Sequence, residues 1–440
     1  MKRMNRIVGR IAVSAVLMSA LTLMLTGCAG IPITGATVKN FFDRTKPTAG
    51  VPSDLSPRVQ SQLRDFDFAV TNLKKQYVNA ASVGTDWQRT VDAERQKIID
   101  AKDEQGDQFA TSLGNIVLAL KDVSASLSAP AQPQAQATGQ PRFSGIGILA
   151  GLPEVGKDRI LALYVFPDSP ADRGGLKAHD AIVAIEGKPV TFADRDTLIP
   201  HLRGAEGTDV TISVRTPGQQ PRDITLTRRP VTQSSPLVSK RVTGTNIGYI
   251  VPDPSNTKSM KSDVINALRD LNSDHNIDGL VLDLRIIRAN DFPLEDMLSL
   301  FVNGQVASVQ TRAKKTKLEI GGRSIGGSQE VPLVVLVSDQ TVGQAEAFAG
   351  ILQDLGRAKI AGQQTKGDMA QVTPLTLPTS HLQVLIPTGE YIGVKNNNWR
   401  GTNGKDAGVK PNIVSAKAWE DFTTDDDPQL QQAVDALSGK

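Results

Sequence analysis

One βαβ run sets the terms for the rest of the chain. Residues 331–337, VPLVVLV, are apolar, and four of the seven are β-branched, as expected of a strand buried on both faces. A short polar turn follows, and residues 346–355 read as a helix that must end near Gly356. A second apolar piece, 358–361, leads to Gly362. The strand-to-helix turn of such a unit is where α/β enzymes seat nucleophiles, because N–H groups at a helix start stabilise an oxyanion.

The length of 440 residues suits two to three domains. Lys and Arg number 49 against 46 Asp and Glu, and Lys2, Arg3, Arg6 and Arg10 lie in an acid-free start. Removing those four takes the formal charge from +3 to −1, so no nucleic-acid surface is expected. Residues 1–27 join this basic end to an apolar run over 11–25, the pattern of a secretory signal. The run ends Leu25-Thr26-Gly27-Cys28, which resembles the lipobox of bacterial lipoproteins. That resemblance implies cleavage before Cys28, lipidation of its thiol, and a protein anchored to a bacterial membrane in the cell envelope. A plain signal peptide with an incidental cysteine is the alternative. Cys28 is the sole cysteine, so lipidation leaves no thiol for disulfides, metal or catalysis.

Residues 28–54 read as a tether, 55–128 as a helical region with apolar spacings of three and four, and 129–140 as a low-complexity connector. Residues 141–230 read as a small β-rich domain, with strands over 160–166, 180–185 and 210–214 and turns at Glu186-Gly187 and Pro217-Gly218. The string Ser169-Pro170-Ala171, then Gly175-Leu176-Lys177, Asp180 and Ile182, resembles a PDZ domain, with His179 where a glycine is usual. The resemblance implies that the loop of Ser144, Gly145, Ile146, Gly147 and Ile148 offers amides to a peptide's terminal carboxylate. The peptide then adds as a strand to the sheet edge. A spacer with a closed groove is the alternative reading.

Residues 231–440 read as an α/β core. Strands are expected over 247–251 and 279–284, and an amphipathic helix over 258–272. The Glu346, Phe348-Ala349-Gly350, Gln353-Asp354, Gly356-Arg357-Ala358, Gly362 and Thr365 pattern resembles the carboxyl-terminal processing (tail-specific) serine peptidases. Asp283-Leu284-Arg285, the 408–413 stretch GVKPNI and Asp427-Pro428-Gln429-Leu430 match further family strings. The resemblance implies a multidomain α+β protein: helical segment, PDZ-like domain and a crotonase-like α/β core.

The matches fail where the family keeps its chemistry. Its nucleophilic serine falls on Gly343, and its lysine base, 25 residues on, falls on Asp368. Glycine carries no nucleophile, and aspartate cannot serve as the neutral amine of a Ser–Lys pair. The glycine-rich turn that supplies an oxyanion amide in the family is replaced by Ile286, Ile287, Arg288, Ala289 and Asn290. The helical region closes on Ser124 where the family has histidine. Thr341 and Lys366 are also 25 apart, which leaves a slid Thr–Lys pair as a fallback. His179, His201, His275 and His381 have no metal-ligand spacing, and no metal or cofactor is expected. Gly321-Gly322 and Gly326-Gly327 lack the phosphate-loop pattern, and 314–317 reads as a solvated turn.

Three functions follow. The first is a lipid-anchored pseudopeptidase that holds peptide or protein C-termini, or partners an active peptidase. The second is a working serine- or threonine-type endopeptidase that trims exported proteins. The third is a structural envelope lipoprotein.

Overall fold

The structure, a computed structural model, describes residues 50–82, 84–122, 124–128, 143–151, 158–191, 199–231, 237–289, 291–367, 369–400, 407–416, 418, 421–422 and 427–439. The tether's first residues, the 129–140 connector, Cys28, Asn290 and Asp368 lie outside them. The chain divides into a unit Met1–Pro52 and a unit Ser53–Lys440, and every helix and strand described belongs to the second. No described helix is long and apolar enough to cross a membrane.

The helical region consists of α1 (Pro57–Gln76), α2 (Thr85–Ala101) and α3 (Asp107–Leu118). Ser56 caps α1 and Pro57 stands at its first position, where no amide hydrogen is needed. Leu63, Phe66, Leu73, Leu113 and Ile116 are buried between the helices, and the Trp87 indole donates to the Ile116 carbonyl at 2.8 Å. Strand β1 (Ser126–Ser128) then joins a sheet of the core.

The β-rich domain follows with β2 (Phe143–Gly145), β3 (Ile148–Ala150), β4 (Ile160–Val165), helix α4 (Pro170–Arg173), β5 (Ala181–Ile185), β6 (Lys188–Pro189), β7 (Asp209–Arg215), β8 (Arg222–Thr227) and β9 (Arg229–Val231). Its sheet runs β3-β4-β5-β7-β8, with β6 beside β5, while β2 pairs with β9. A core of Ile146, Ile160, Ile182, Ile212, Val214 and Leu226 fills it. The other face of β4 belongs elsewhere. Leu161 and Leu163, with Phe166 just beyond the strand, join the hydrophobic cluster of the α/β core, against Val231, Leu237 and Tyr249.

The core contains β10 (Val238–Arg241), β11 (Ile247–Val251), α5 (Met260–Leu271), β12 (Gly279–Asp283), β13 (Arg288–Ala289), α6 (Leu294–Phe301), β14 (Gly304–Thr311), β15 (Lys315–Ile320), β16 (Leu333–Val337), β17 (Val342–Gly343), α7 (Gln344–Asp354), β18 (Lys359–Gly362), β19 (Gln371–Thr376), β20 (Gln383–Gly393), β21 (Ile413–Val414) and α8 (Pro428–Ser438). The main sheet runs β10-β11-β12-β16-β18-β21, parallel from β11 onward. Every residue of β11, β12 and β16 is buried, as continuous apolar runs require of central parallel strands. A second sheet, β1-β20-β14-β15 with β19 against β20, packs the helical region onto the core. The buried Asp65 of α1 reinforces that junction by accepting amides of Thr379 and Ser380.

Candidate functional site

Ligands of open α/β sheets bind beyond the carboxyl ends of the parallel strands. Here those ends, at β12 and β16, are laced together. Ser338 donates its hydroxyl to the Arg285 carbonyl at 2.7 Å, and Thr341 donates to the Leu284 carbonyl at 2.8 Å. Thr341 also receives the Ser338 amide at 3.0 Å, and both side chains are fully buried. The donor and acceptor roles of the Thr341 hydroxyl thus go to backbone. Lys366 extends toward Asp339, its ammonium 3.9 Å from that carboxylate, and both side chains are about one-third exposed.

The turn after β12 is built from apolar side chains. Ile286 is 6% exposed and Ile287 fully buried. The Ile287 amide donates to Leu284 and its carbonyl receives the Val342 amide at 3.2 Å. Beyond it β13 lies parallel to β17, Arg288 opposite Val342 and Ala289 opposite Gly343. Gly343 has φ 71° and ψ −136° and stands immediately before α7. The two stretches that depart most from the expected pattern are therefore paired with each other.

Beneath this turn sits an ionic cluster. Arg285, 2% exposed, pairs with Asp283 at 2.6 Å and Asp427 at 2.7 Å and reaches Gln429 at 3.1 Å. The Tyr249 hydroxyl donates to Asp283 at 2.7 Å. Burial works to raise the Asp283 carboxyl, yet the adjacent guanidinium outweighs it and holds the group below the usual carboxylate range. Burial, with the Asp283 charge, pushes the Tyr249 phenol well up. Every charge here has a partner, so the cluster fixes the β12 end and the α8 start and offers no free acid or base. Among the described residues no group of His, Cys, Asp and Glu is arranged to hold a metal.

The loop of residues 144–148, expected from the sequence to meet a peptide carboxylate, is partly engaged. The Ile146 amide donates to Leu202 at 3.2 Å, and Gly204 donates to Ser144 at 3.2 Å, so the 202–204 segment lies against the loop. Gly147 has φ 84°, and a Cβ there would meet Ser169 Cβ at 2.2 Å, so only glycine fits. The Phe166 amide donates to Gly147 at 3.0 Å, which makes Ile148–Val165 a non-hydrogen-bonded antiparallel pair. Ile148 therefore turns its amide and carbonyl to the open edge of β3, the outermost strand of its sheet among the described residues.

His179, one of the scattered histidines, stands where the PDZ pattern usually has glycine, and its φ of 74° is of the kind that favours glycine. It is 1% exposed, with Nδ1 2.5 Å from the Phe422 carbonyl and its ring edge-on to Phe422. Burial, aided by the Arg285 charge, lowers its pKa to about 4.

Comparison with known proteins bears on the fold. Residues 246–415 match the model of peptidase family S41 and residues 163–216 that of a PDZ domain. The core domain belongs to peptidase family S41. The carboxyl-terminal-processing protease of Synechocystis sp. is 25% identical over 360 residues, which cover 78% of this chain and 80% of that protein. The carboxy-terminal-processing protease of Bartonella bacilliformis is 26% identical over 358 residues, covering 78% and 76%. The solved photosystem II D1 C-terminal processing protease aligns with a TM-score of 0.55 at 21% identity, over 81% of this chain and 93% of that one, a likeness of fold.

The S41 motif residues that this chain keeps hold its frame together. Glu346, fully buried in α7, accepts from the Thr365 hydroxyl and the Gly367 amide, and Thr365 receives the Val409 amide at 2.7 Å. Gly350 seats the Trp399 indole, where a Cβ would come within 2.7 Å of the ring. Gln353 donates to the Lys410 carbonyl at 2.7 Å, and Asp354 accepts the Lys395 amide at 2.9 Å. Arg357 gathers the carbonyls of Phe301, Ser328 and Val331. Asp122 accepts from Tyr77 and Arg400 and ties the helical region to the S41 core.

Proposed function

We propose that this chain is an S41-fold protein that binds peptide or protein C-termini at its PDZ domain without cleaving them, anchored through a lipidated Cys28 in the cell envelope. The pairing of the Ile286–Ala289 turn with Val342 and Gly343 carries the reading. A hydrolytic site needs a nucleophile and a pre-aimed oxyanion donor at this place, and one such donor is worth about 3 kcal/mol. Here the nucleophile position is a glycine, and the neighbouring turn buries Ile286 and Ile287 and pairs its backbone with it. The committed Thr341 hydroxyl weighs against the Thr341/Lys366 alternative. The outward Ile148 amide and the open β3 edge support strand addition by a peptide. An active peptidase of the same envelope, with this chain as adaptor, is one partner the fold suits.

The contact of Leu202 with the Ile146 amide favours a second reading, a structural lipoprotein whose groove stays shut. The deciding experiment gives the purified full chain an unstructured protein and a panel of peptides with free or amidated C-termini, following cleavage and binding together. No turnover with saturable binding that needs the free carboxylate is expected. Turnover abolished by Thr341→Ala would overturn the proposal in favour of the slid pair, and binding of no peptide would leave the structural reading.

A further inference from the structure

The last turn of α1 and the start of α2 border a half-open cavity of about 540 Å³, lined by Leu73, Lys74, Tyr77, Val78, Trp87 and Arg312 among others. Leu73, Tyr77 and Trp87 are themselves buried and form an apolar, aromatic wall. The polar requirements of that wall are already met: Tyr77 donates to Asp122 at 2.9 Å and Trp87 to Ile116 at 2.8 Å. What remains toward the cavity is hydrocarbon and ring surface, and the volume falls in the range of small-molecule sites, about 300–1,000 Å³.

The rim is cationic. Arg312 Nη1 donates to the Lys74 and Lys75 carbonyls at 2.7 and 2.9 Å, docking the β14–β15 hairpin on the end of α1. That contact sets Lys74, Lys75 and Arg312 beside Lys314 and Lys315 at the hairpin tip, all exposed. Among the described residues none of the five has a carboxylate in ion-pair range, whereas Arg95, Arg285 and Arg400 all do. Unbalanced positive charge around an apolar pocket selects a ligand with the opposite arrangement.

We propose that this cavity binds an anionic amphiphile, its apolar chain against Leu73, Tyr77 and Trp87 and its carboxylate or phosphate at Lys74 and Arg312. The site lies on the helical region and is independent of the PDZ groove and of the proposed function.

Calorimetric titration of the full chain with dodecanoate, dodecyl phosphate, dodecanol and dodecyltrimethylammonium, all below their micellar concentrations, tests it. The two anions are expected to bind saturably and at least 10-fold tighter than the neutral and cationic probes. Lys74→Gln/Arg312→Gln is expected to weaken the anions at least 10-fold, and Ala80→Leu, at another lining position, to weaken them by reducing the cavity. Lys74→Gln alone serves as the second variant should the double substitution loosen the hairpin. Dihexanoyl phosphatidylglycerol distinguishes the sources: tighter binding than dodecanoate assigns a lipid headgroup, weaker binding a free acid. Indifference to head-group charge, wild-type affinity in the variants, or no saturable binding of either anion overturns the proposal.

Discussion

At the scale of single residues, the motif positions that carry the resemblance bond to backbone and neighbours, and the positions that depart from it are the ones the proposed function turns on. Glu346, Asp354 and Arg357 each collect backbone partners from other segments. These roles could not be read from a single sequence, because spacing gives no partner. The Thr341–Lys366 spacing illustrates the same limit, since equal separation along the chain says nothing about a hydroxyl already bonded to Leu284. His179 is the residue whose environment most exceeds what its sequence context offered. Its pKa is lowered to about 4 in the fold, against about 6.5 for an unperturbed histidine. Between those values the unfolded chain binds a proton that the folded chain refuses. Stability is therefore full above pH 6.5 and falls as pH drops toward 4, by about 3 kcal/mol at most from this group. Denaturant midpoints measured at pH 7, 5.5 and 4.5 are expected to fall in the wild type, and His179→Gln is expected to flatten that component.

At the scale of elements, periodicity placed the central strands and helices to within a residue or two. The 331–337 run becomes β16, Leu333–Val337, and the 346–355 helix becomes α7, Gln344–Asp354. Continuous apolar runs and a glycine stop are local signals, so these elements were legible. The two-residue strands β13 and β17 were not, because their pairing is set by the burial of Ile286 and Ile287 in the tertiary structure. The solvated turn expected over 314–317 is in part a strand, with Lys315 opening β15. The β13–β17 pairing bears on any attempt to restore the chemistry. At φ 71° a side chain is strained, so Gly343→Ser is expected to cost about 1–3 kcal/mol in chemical denaturation. On the proposed reading, the double variant Gly343→Ser/Asp368→Lys is expected to cleave an unstructured substrate no faster than wild type, because the 286–289 turn still aims no oxyanion donor. Turnover by that variant would show that the turn is not limiting.

At the scale of the whole molecule, the PDZ domain and the S41 core share a hydrophobic cluster through Leu161, Leu163 and Phe166. Tyr164 adds a hydrogen bond to the Leu237 carbonyl at 3.1 Å. The order of the domains was legible from their motifs, but the packing of β4 on the core was not, since a strand buried on both faces reads alike whichever domain covers it. Leu163→Ala removes a side chain that is 5% exposed and is expected to cost about 2–5 kcal/mol. Calorimetry is expected to find one cooperative transition for the two domains in the wild type, and an earlier, separate PDZ transition in the variant. The short pairing of β13 with β17 also bears on history. A catalytic centre worn away only at its side chains stays a few codon changes from return. On the proposed reading, the backbone floor here is also paired with the neighbouring strand, so a serine placed at Gly343 alone would meet a surrounding that does not fit it. Hydrolysis would then require a coordinated rewrite of the 286–289 turn, and a silent site of this kind would be effectively locked.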